Sequence, residues 1–256
     1  MFNSLKNAVI GVRDEFCSKI YLNNVMCNKN VHITYLPDDL LFLNSELVNK
    51  RQLCHNTGNK YIVLIVHDKM ETLQENIEKF RSFQRTMHEK YGLHLIILPF
   101  DLICYGYEQS KYLNDNLENT ILIDIQEHKF VPIEEVYSII KNSQLVVTGR
   151  YHAAVMSVQS STPVVVKMKD IKGDFTYTYN KAHGMLDKVF ENMNIDETFF
   201  LRTSWDDTLD WISENYANII EYQRALYNSK DFSKNMRNLS SIRKNFIKEN
   251  IGDLKK

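Results

Sequence analysis

The sequence predicts an α/β protein built on a doubly wound, mainly parallel sheet of the Rossmann-like type. From Lys60 onward, short apolar runs typical of buried strands alternate with segments of helical periodicity, five times within about 110 residues. Parallel strands need helical crossover connections, and these helices then cover both faces of the sheet. The chain has 256 residues, which is long enough to bury a sizeable core. We therefore expect ligands to bind beyond the carboxyl ends of the strands, where the strand order reverses.

The strands and helices of this central segment follow one another in regular order. The predicted strands are Tyr61–Val66, Leu93–Leu98, Thr120–Ile125, Leu145–Val147 and Pro163–Val166. The predicted helices are Glu71–Lys90, Tyr107–Leu117, a helix opened by Pro132, and Tyr151–Gln159. In the first of these helices, Leu73, Phe80 and Met87 fall on one face, which predicts that this face packs on the sheet.

The first 55 residues predict a smaller α/β segment. Two strands, Ala8–Val12 and Val31–Tyr35, flank a helix over Asp14–Leu22. Two strands and a helix cannot enclose a core of their own. We therefore expect this segment to be a remnant of, or link to, an amino-terminal domain and to lean on the main sheet or on another protomer.

The carboxy-terminal residues, 201–256, predict helices that pack back on the sheet. Ser204 is placed to cap a helix over Trp205–Tyr227, and a second helix covers roughly Phe232–Asn250. No strand is predicted after Phe200.

Composition excludes several classes of protein. Lys and Arg number 31 and Asp and Glu 32, so a net charge of −1 gives no indication of a nucleic-acid or anionic-membrane partner. The amino terminus lacks the apolar stretch of a signal peptide, and the longest apolar runs have the length of strands, so no transmembrane segment is expected. Four widely spaced cysteines without a CxxC pair are typical of reduced thiols in a cytoplasmic protein.

Sequence motifs for metals, dinucleotides and serine nucleophiles are missing as well. The chain has no GxGxxG, GxxxxGK[ST], GxSxG or HExxH pattern. Cys54 beside His55 is a weak indication of zinc, since no other Cys–His adjacency supports it. We predict no metal site.

The turn after the Leu145–Val147 strand carries the clearest functional pattern. The strand ends near Thr148, Gly149 permits a tight turn, and a helix follows at once, so unpaired N–H groups and the helix dipole favour an anion. Arg150 adds a planar fork suited to carboxylate or phosphate, and His152 a proton donor or acceptor near neutral pH. The alternative is an ordinary helix start that carries, by chance, an arginine and a histidine whose hydrogen bonds are made within the protein.

Four short segments stand in the order and spacing of a known signature. They are Ile10–Asp14, Leu36–Leu40, Val147–Ala154 with the following strand Ser161–Val165, and Tyr179–Gly184. These segments resemble, in turn, the strand ending in Arg-Asp, the Pro-Asp turn, the Arg-Leu-His helix with its strand, and the late Asn-Lys-x-x-Gly segment of the polysaccharide pyruvyl transferases. Tyr151 stands where that family usually has leucine.

The resemblance implies a GT-B-like fold, of which this chain would be the carboxy-terminal half, lacking most of the usual amino-terminal domain. Residues 56–200 would then form the donor-binding domain. The implied reaction moves the pyruvyl group of phosphoenolpyruvate onto two hydroxyls of a sugar or lipid-linked saccharide in exopolysaccharide biosynthesis, giving a cyclic ketal and phosphate. The implied reaction requires no metal or other cofactor. A homo-oligomer or an amino-terminal partner domain would supply the rest of the site, if it is needed.

The resemblance also implies roles for particular residues. Those expected to bind substrate are Arg13, Gly149, Arg150, Tyr151 and Lys181, and those expected to be catalytic are His152, Asp14 and Asp38. Because the donor carries two anionic groups, we expect its cations to line one cleft, with His152 as the acid–base group and one of the aspartates as its orienter.

Simpler explanations stay open for three of these positions. Arg13 and Asp14 also fit an ion pair at a helix start. Asp38 also fits turn chemistry, and Lys181 a solvated surface position.

Two other functions stay open for the whole chain. One is a nucleotide-sugar glycosyltransferase of GT-B type, which a glutamate near the last strand would favour, although Glu191 follows a helix. The other is a non-catalytic or partner-dependent subunit whose anion site binds without turnover.

Overall fold

The chain folds into two compact units in a computed structural model that describes residues 8–15, 18–26, 30–43, 60–101, 105–126, 130–168 and 181–250. The first unit takes its described residues from 8–42, 181–195 and 226–250. The second takes them from 43–168 and 196–225. The strands are β1 (Ala8–Val12), β2 (Val31–Tyr35), β3 (Tyr61–Ile65), β4 (His94–Ile97), β5 (Thr120–Leu122), β6 (Leu145–Thr148), β7 (Val164–Lys167) and β8 (Leu201–Arg202). The α-helices are α1 (Ser18–Val25), α2 (Met70–Glu75), α3 (Ile77–Tyr91), α4 (Gly106–Asn116), α5 (Ile133–Lys141), α6 (Tyr151–Gln159), α7 (Lys181–Val189), α8 (Trp205–Tyr227) and α9 (Lys230–Asn250).

The second unit is built on a parallel sheet with the strand order β5-β4-β3-β6-β7-β8. Strands β3, β6 and β7 are buried along their whole length, as their β-branched sequences predict for a sheet covered on both faces. One face packs on α3 and α8 through residues such as Phe80 and Ile212. Alternate residues such as Val63 and Val146 are also completely buried, so the opposite face is covered too. The predicted α/β fold with a doubly wound parallel sheet is confirmed.

Three elements of this unit differ from the sequence-based prediction. The single helix predicted over Glu71–Lys90 is broken at Asn76, whose side-chain amide donates to the Thr72 carbonyl (2.8 Å) and so competes with the helical ladder. Strand β5 ends three residues early, because Asp124 accepts the Gln126 N–H (2.8 Å) in a local turn.

A short edge strand, β8, was the third difference, since no strand was predicted after Phe200. It pairs in parallel with β7 over only two residues. Two residues are too few to show the alternation by which a strand is recognised in a sequence.

The first unit contains a separate two-stranded parallel sheet, in which β1 pairs with β2 from Ala8–Val31 to Val12–Tyr35. Helices α7 and α9 belong to the same unit. The Asn235 side chain of α9 donates to the carbonyls of Val189 (3.2 Å) and Glu191 (2.9 Å), which ties α9 to the end of α7. The predicted domain boundaries at residues 55 and 200 stay a prediction.

Within the ranges that the structure describes, no helix is both long and apolar enough to cross a lipid bilayer.

Candidate functional site

The turn between β6 and α6 brings the backbone of two loops into close contact. The Gly149 N–H donates to the Ile65 carbonyl (3.0 Å), and the Arg150 N–H donates to Thr148 Oγ1 (2.9 Å). A Cβ added at Gly149 would lie 3.1 Å from the carbonyl oxygen of His67, which is tighter than ordinary packing allows. Glycine is therefore the residue that lets the β6–α6 turn lie against the loop after β3.

Arg150 lies two residues beyond the carboxyl end of β6, and its guanidinium is held on one side. Nη2 forms an ion pair with Asp101, a residue that follows β4, and Asp101 Oδ1 also accepts the Gly106 N–H (3.2 Å) at the start of α4. The side chains of Arg150 and Asp101 are about a quarter exposed, so solvent reaches the pair. Arg150 Nε is buried and has no hydrogen-bond partner among the described residues. Buried donors are usually satisfied, and an unsatisfied one is a candidate contact for a ligand.

The first turn of α6 adds two aromatic side chains and a helix dipole. Arg150 is the N-cap residue, its side chain makes no capping hydrogen bond, and the first turn carries no acidic residue. The rings of Tyr151 and His152 meet edge to face with centroids 5.5 Å apart, and His152 is exposed. A helix start without a carboxylate, beside an arginine, favours an anionic ligand.

A second ion pair lies at the same edge of the sheet and is nearly inaccessible to solvent. Lys167, the last residue of β7, pairs with Asp68, which follows β3; their side chains are 8% and 6% exposed. Lys167 Nζ also lies 5.9 Å from the ring centre of Trp205. Because β6 lies between β3 and β7, this pair spans the end of β6, where the Gly149 turn begins.

Asp68, Asp101 and Lys167 were not among the site residues predicted from the sequence. The signal that could have found them is their position, since each ends or closely follows a parallel strand. The pairing of Asp68 with Lys167, and of Asp101 with Arg150, depends on the strand order, which the sequence does not display.

A cavity of about 240 Å³ borders Asp101 in the second unit. Its lining is mainly apolar and includes Pro99, Ile125 and Met156. It offers space for a small molecule beside the residue that orients Arg150.

The first unit holds four of the residues predicted to act in the site, and two of them are paired. Arg13, directly after β1, contacts Asp38 with Nη1 3.2 Å from Oδ2. Asp38 Oδ1 also accepts the Leu40 N–H (3.1 Å), which is the turn chemistry considered from the sequence. Both residues line a cleft of about 560 Å³ at the carboxyl ends of β1 and β2.

Asp14 is completely buried in this unit and holds the start of α1. Its carboxylate accepts the Ser18 N–H (2.7 Å) and a hydrogen bond from the Ser18 hydroxyl. Its Cβ lies so close to α7 that a Cβ at Gly184 would be only 2.7 Å away. Lys181 is the first residue of α7 and is half-buried. The catalytic and binding roles of Arg13, Asp14, Asp38 and Lys181 stay predictions.

Metal ligands are not grouped in the described part of the chain, where no cluster of three or more His, Cys, Asp or Glu residues could hold an ion. All four cysteines, including Cys54, and also His55 lie outside the described residues.

Comparisons with known proteins show the family of this chain and its fold. A family model described as polysaccharide pyruvyl transferase matches residues 1–167. No curated protein matches the chain. Among solved structures, the UDP-GlcNAc 2-epimerase of Methanocaldococcus jannaschii, in complex with UDP-GlcNAc and UDP, has a TM-score of 0.56 at 14% identity, covering 91% of this chain and 61% of that one.

Two further structures give the same result. The UDP-GlcNAc 2-epimerase of Neisseria meningitidis, bound to UDP-GlcNAc, has a TM-score of 0.51 at 13% identity, over 89% of this chain and 58% of the other. An α,α-trehalose 6-phosphate synthase of Burkholderia multivorans has a TM-score of 0.52 at 11% identity, over 94% and 57%. At such identities the likeness shows the fold alone, which is GT-B-like, and this chain spans about three-fifths of the length of these structures.

Proposed function

The chain belongs to the polysaccharide pyruvyl transferase family, and from that membership we propose that it transfers the pyruvyl group of phosphoenolpyruvate to two hydroxyls of a saccharide. The family comprises transferases that modify polysaccharides; the donor and the reaction are our proposal for this chain. The observation that carries it is the position of Arg150, which has a buried, unpartnered Nε among the described residues at the carboxyl edge of a parallel sheet.

Phosphoenolpyruvate suits this site because it carries a carboxylate and a phosphate on a small carbon skeleton. A guanidinium binds either group through a planar pair of N–H donors, and the start of α6 adds a favourable dipole. Tyr151 and Gly149 border the same turn, where a side-chain ring and a close backbone would shape the donor pocket.

The proposed chemistry needs protons to be moved at three atoms. The methylene carbon of the donor gains a proton, the two attacking hydroxyls each lose one, and the bond from C2 to the phosphate oxygen breaks. One of the two released protons balances the carbon, and the other leaves with the phosphate. His152 is exposed in the first turn of α6, so we assign it this acid–base work.

The first-unit residues enter the proposal as further substrate contacts. Arg13 and Lys181 supply cations, and Asp14 or Asp38 supplies a carboxylate that orients a reacting group. Asp38 suits this role better than Asp14, because Asp38 lines an open cleft whereas Asp14 is completely buried. We also propose that the acceptor is a saccharide, free or lipid-linked, and that the reaction takes place in the cytoplasm, where phosphoenolpyruvate is made.

A nucleotide-sugar glycosyltransferase is the second candidate, since the neighbouring structures include proteins bound to UDP-GlcNAc. This function would be favoured by a glutamate near the last strand that binds the ribose, and Glu191 does not have that position. Glu191 follows α7 rather than a strand, and its carboxylate lies 3.5 Å from Lys188 Nζ.

The test is a product assay with the full chain. The protein is incubated with phosphoenolpyruvate and a panel of saccharide acceptors, and ketal and phosphate are measured by NMR. We expect equal amounts of both products, and neither without acceptor. Phosphate release without ketal, or transfer from a nucleotide sugar instead, would contradict the proposal.

A further inference from the structure

Helix α4 holds two loops at the carboxyl edge of the second unit's sheet. Its first residue, Gly106, donates its N–H to Asp101 Oδ1 (3.2 Å). One turn later, Gln109 clamps the backbone of Asp68: Oε1 accepts the Asp68 N–H (3.2 Å), and Nε2 donates to the Asp68 carbonyl. Gln109 is only 2% exposed and Asp68 is half-buried, so the clamp is largely shielded from competing water.

These two loops flank the turn that carries Arg150. Asp101 pairs directly with the guanidinium, and Asp68 reaches across the end of β6 to Lys167. The backbone of His67, next to Asp68, lies so close to Gly149 that an added Cβ would be only 3.1 Å from the His67 carbonyl oxygen. A displacement of the loop at 67–68 must therefore displace the turn as well.

We propose that Gln109 is a positioning residue, which fixes Arg150 for its anionic ligand through Asp68 and the Gly149 turn. That the ligand is phosphoenolpyruvate rests on the proposed function. The positioning itself is a property of the chain and is measurable without a ligand.

A matched control lies at the opposite edge of the same sheet. Gln223, which is completely buried, clamps the backbone of Val164 at the start of β7, with Oε1 accepting the Val164 N–H (2.8 Å) and Nε2 donating to its carbonyl (2.8 Å). Its Nε2 also donates to the Phe199 carbonyl (2.7 Å). Gln109→Leu and Gln223→Leu therefore remove the same kind of clamp, one near Arg150 and one far from it. Both variants leave backbone groups unsatisfied, so we expect both to lower Tm, and Gln223→Leu at least as much as Gln109→Leu because it loses one more hydrogen bond.

Two readouts separate the variants. The first is the ¹⁵N–¹H NMR signal of the Arg150 Nε–H group, which is assigned by its disappearance in Arg150→Lys. This signal stays resolved as long as the guanidinium is buried and held in place. The second is the affinity for phosphoenolpyruvate by calorimetry. In Gln109→Leu we expect the Arg150 signal to broaden or move to the exposed-arginine position and the affinity to fall about tenfold, which corresponds to about 1.4 kcal/mol. In Gln223→Leu we expect the Arg150 signal and the phosphoenolpyruvate affinity to match those of the parent.

An unchanged Arg150 signal in Gln109→Leu, or equal changes in the two variants, would overturn the inference. If the parent does not bind phosphoenolpyruvate, the proposed function fails, and the NMR comparison still decides the positioning role. If a leucine variant does not fold, the isosteric pair Gln109→Glu and Gln223→Glu is compared instead. Each keeps the acceptor and loses the amide donor, and the same contrast is expected.

Discussion

At the scale of single residues, Arg150 is the group best placed to hold an anion. Asp101 occupies one Nη, Thr148 fixes the Arg150 backbone, and the buried Nε has no partner among the described residues. A guanidinium can pair with Asp101 and donate to an anionic ligand at the same time, because its five donors lie in one rigid plane. A lysine ammonium keeps the charge but loses that geometry.

His152 is the residue whose removal separates turnover from binding. In the full chain, with any partner it requires, His152→Asn keeps a polar side chain but removes proton transfer. We expect phosphoenolpyruvate affinity within a few-fold of the parent and ketal formation lower by about 10²–10⁴. His94→Asn, at the amino end of β4, is the control and should leave both unchanged. If His152→Asn loses affinity as severely as Arg150→Lys does, His152 is a phosphate ligand and the acid–base assignment is wrong.

At the scale of elements, one lysine of α7 joins this helix to the layer formed by β1 and β2. Lys188 Nζ lies 2.7 Å from Glu15 and 5.4 Å from the ring centre of Tyr35. The hydrogen bond from Lys188, and then that from Lys19, lowers the pKa of the Glu15 carboxyl, and the bond to Glu15 raises the pKa of Lys188. The Glu15–Lys188 pair therefore stabilises the first unit at pH values at which Glu15 is ionised and Lys188 is protonated.

Glu15→Gln tests this contact through its pH dependence. Glu15 is 38% exposed, so we expect the variant to lose at most about 1 kcal/mol of unfolding free energy at pH 7. A depressed carboxyl pKa gives stability that is present above the ordinary value, 4.5, and is lost as pH falls through the depressed value. Urea denaturation should thus show the difference shrinking below pH 4.5. Glu191→Gln, whose partner contact is longer at 3.5 Å, should cost less. A penalty that is constant with pH would rule out the electrostatic account.

Elements with strong local signals were predictable from the sequence. Helix α6 covers Tyr151–Gln159 as predicted, and α8 covers Trp205–Tyr227, with Ser204 Oγ accepting the Asp207 N–H (3.1 Å) as its cap. Strand β8 and the break at Asn76 were not predictable. Tertiary pairing creates the first, and the second depends on a single side-chain hydrogen bond.

At the scale of the whole molecule, the order of parallel strands decides which residues meet. The sequence placed Gly149 and Arg150 at a strand end, but Asp101, which pairs with Arg150, lies 49 residues away in the chain, and Asp68 lies 99 residues from its partner Lys167. Their meeting follows from the order β4-β3-β6-β7, in which β3 and β6 are adjacent in the sheet although β4 and β5 separate them in the chain. For the same reason, periodicity alone could not reveal the clamp by Gln109.

Ligand-dependent stability of the full chain tests the central claim most directly, which is that Arg150 anchors phosphoenolpyruvate. A ligand at 100 times its Kd stabilises the native state by about 2.7 kcal/mol, which for a protein of this size corresponds to a rise in Tm of roughly 5–10 °C. We predict such a rise with phosphoenolpyruvate, a smaller one with inorganic phosphate, none with UDP-GlcNAc, and loss of most of the phosphoenolpyruvate effect in Arg150→Lys. A rise with UDP-GlcNAc and none with phosphoenolpyruvate would contradict the account, and so would an Arg150→Lys variant that responds to phosphoenolpyruvate like the parent.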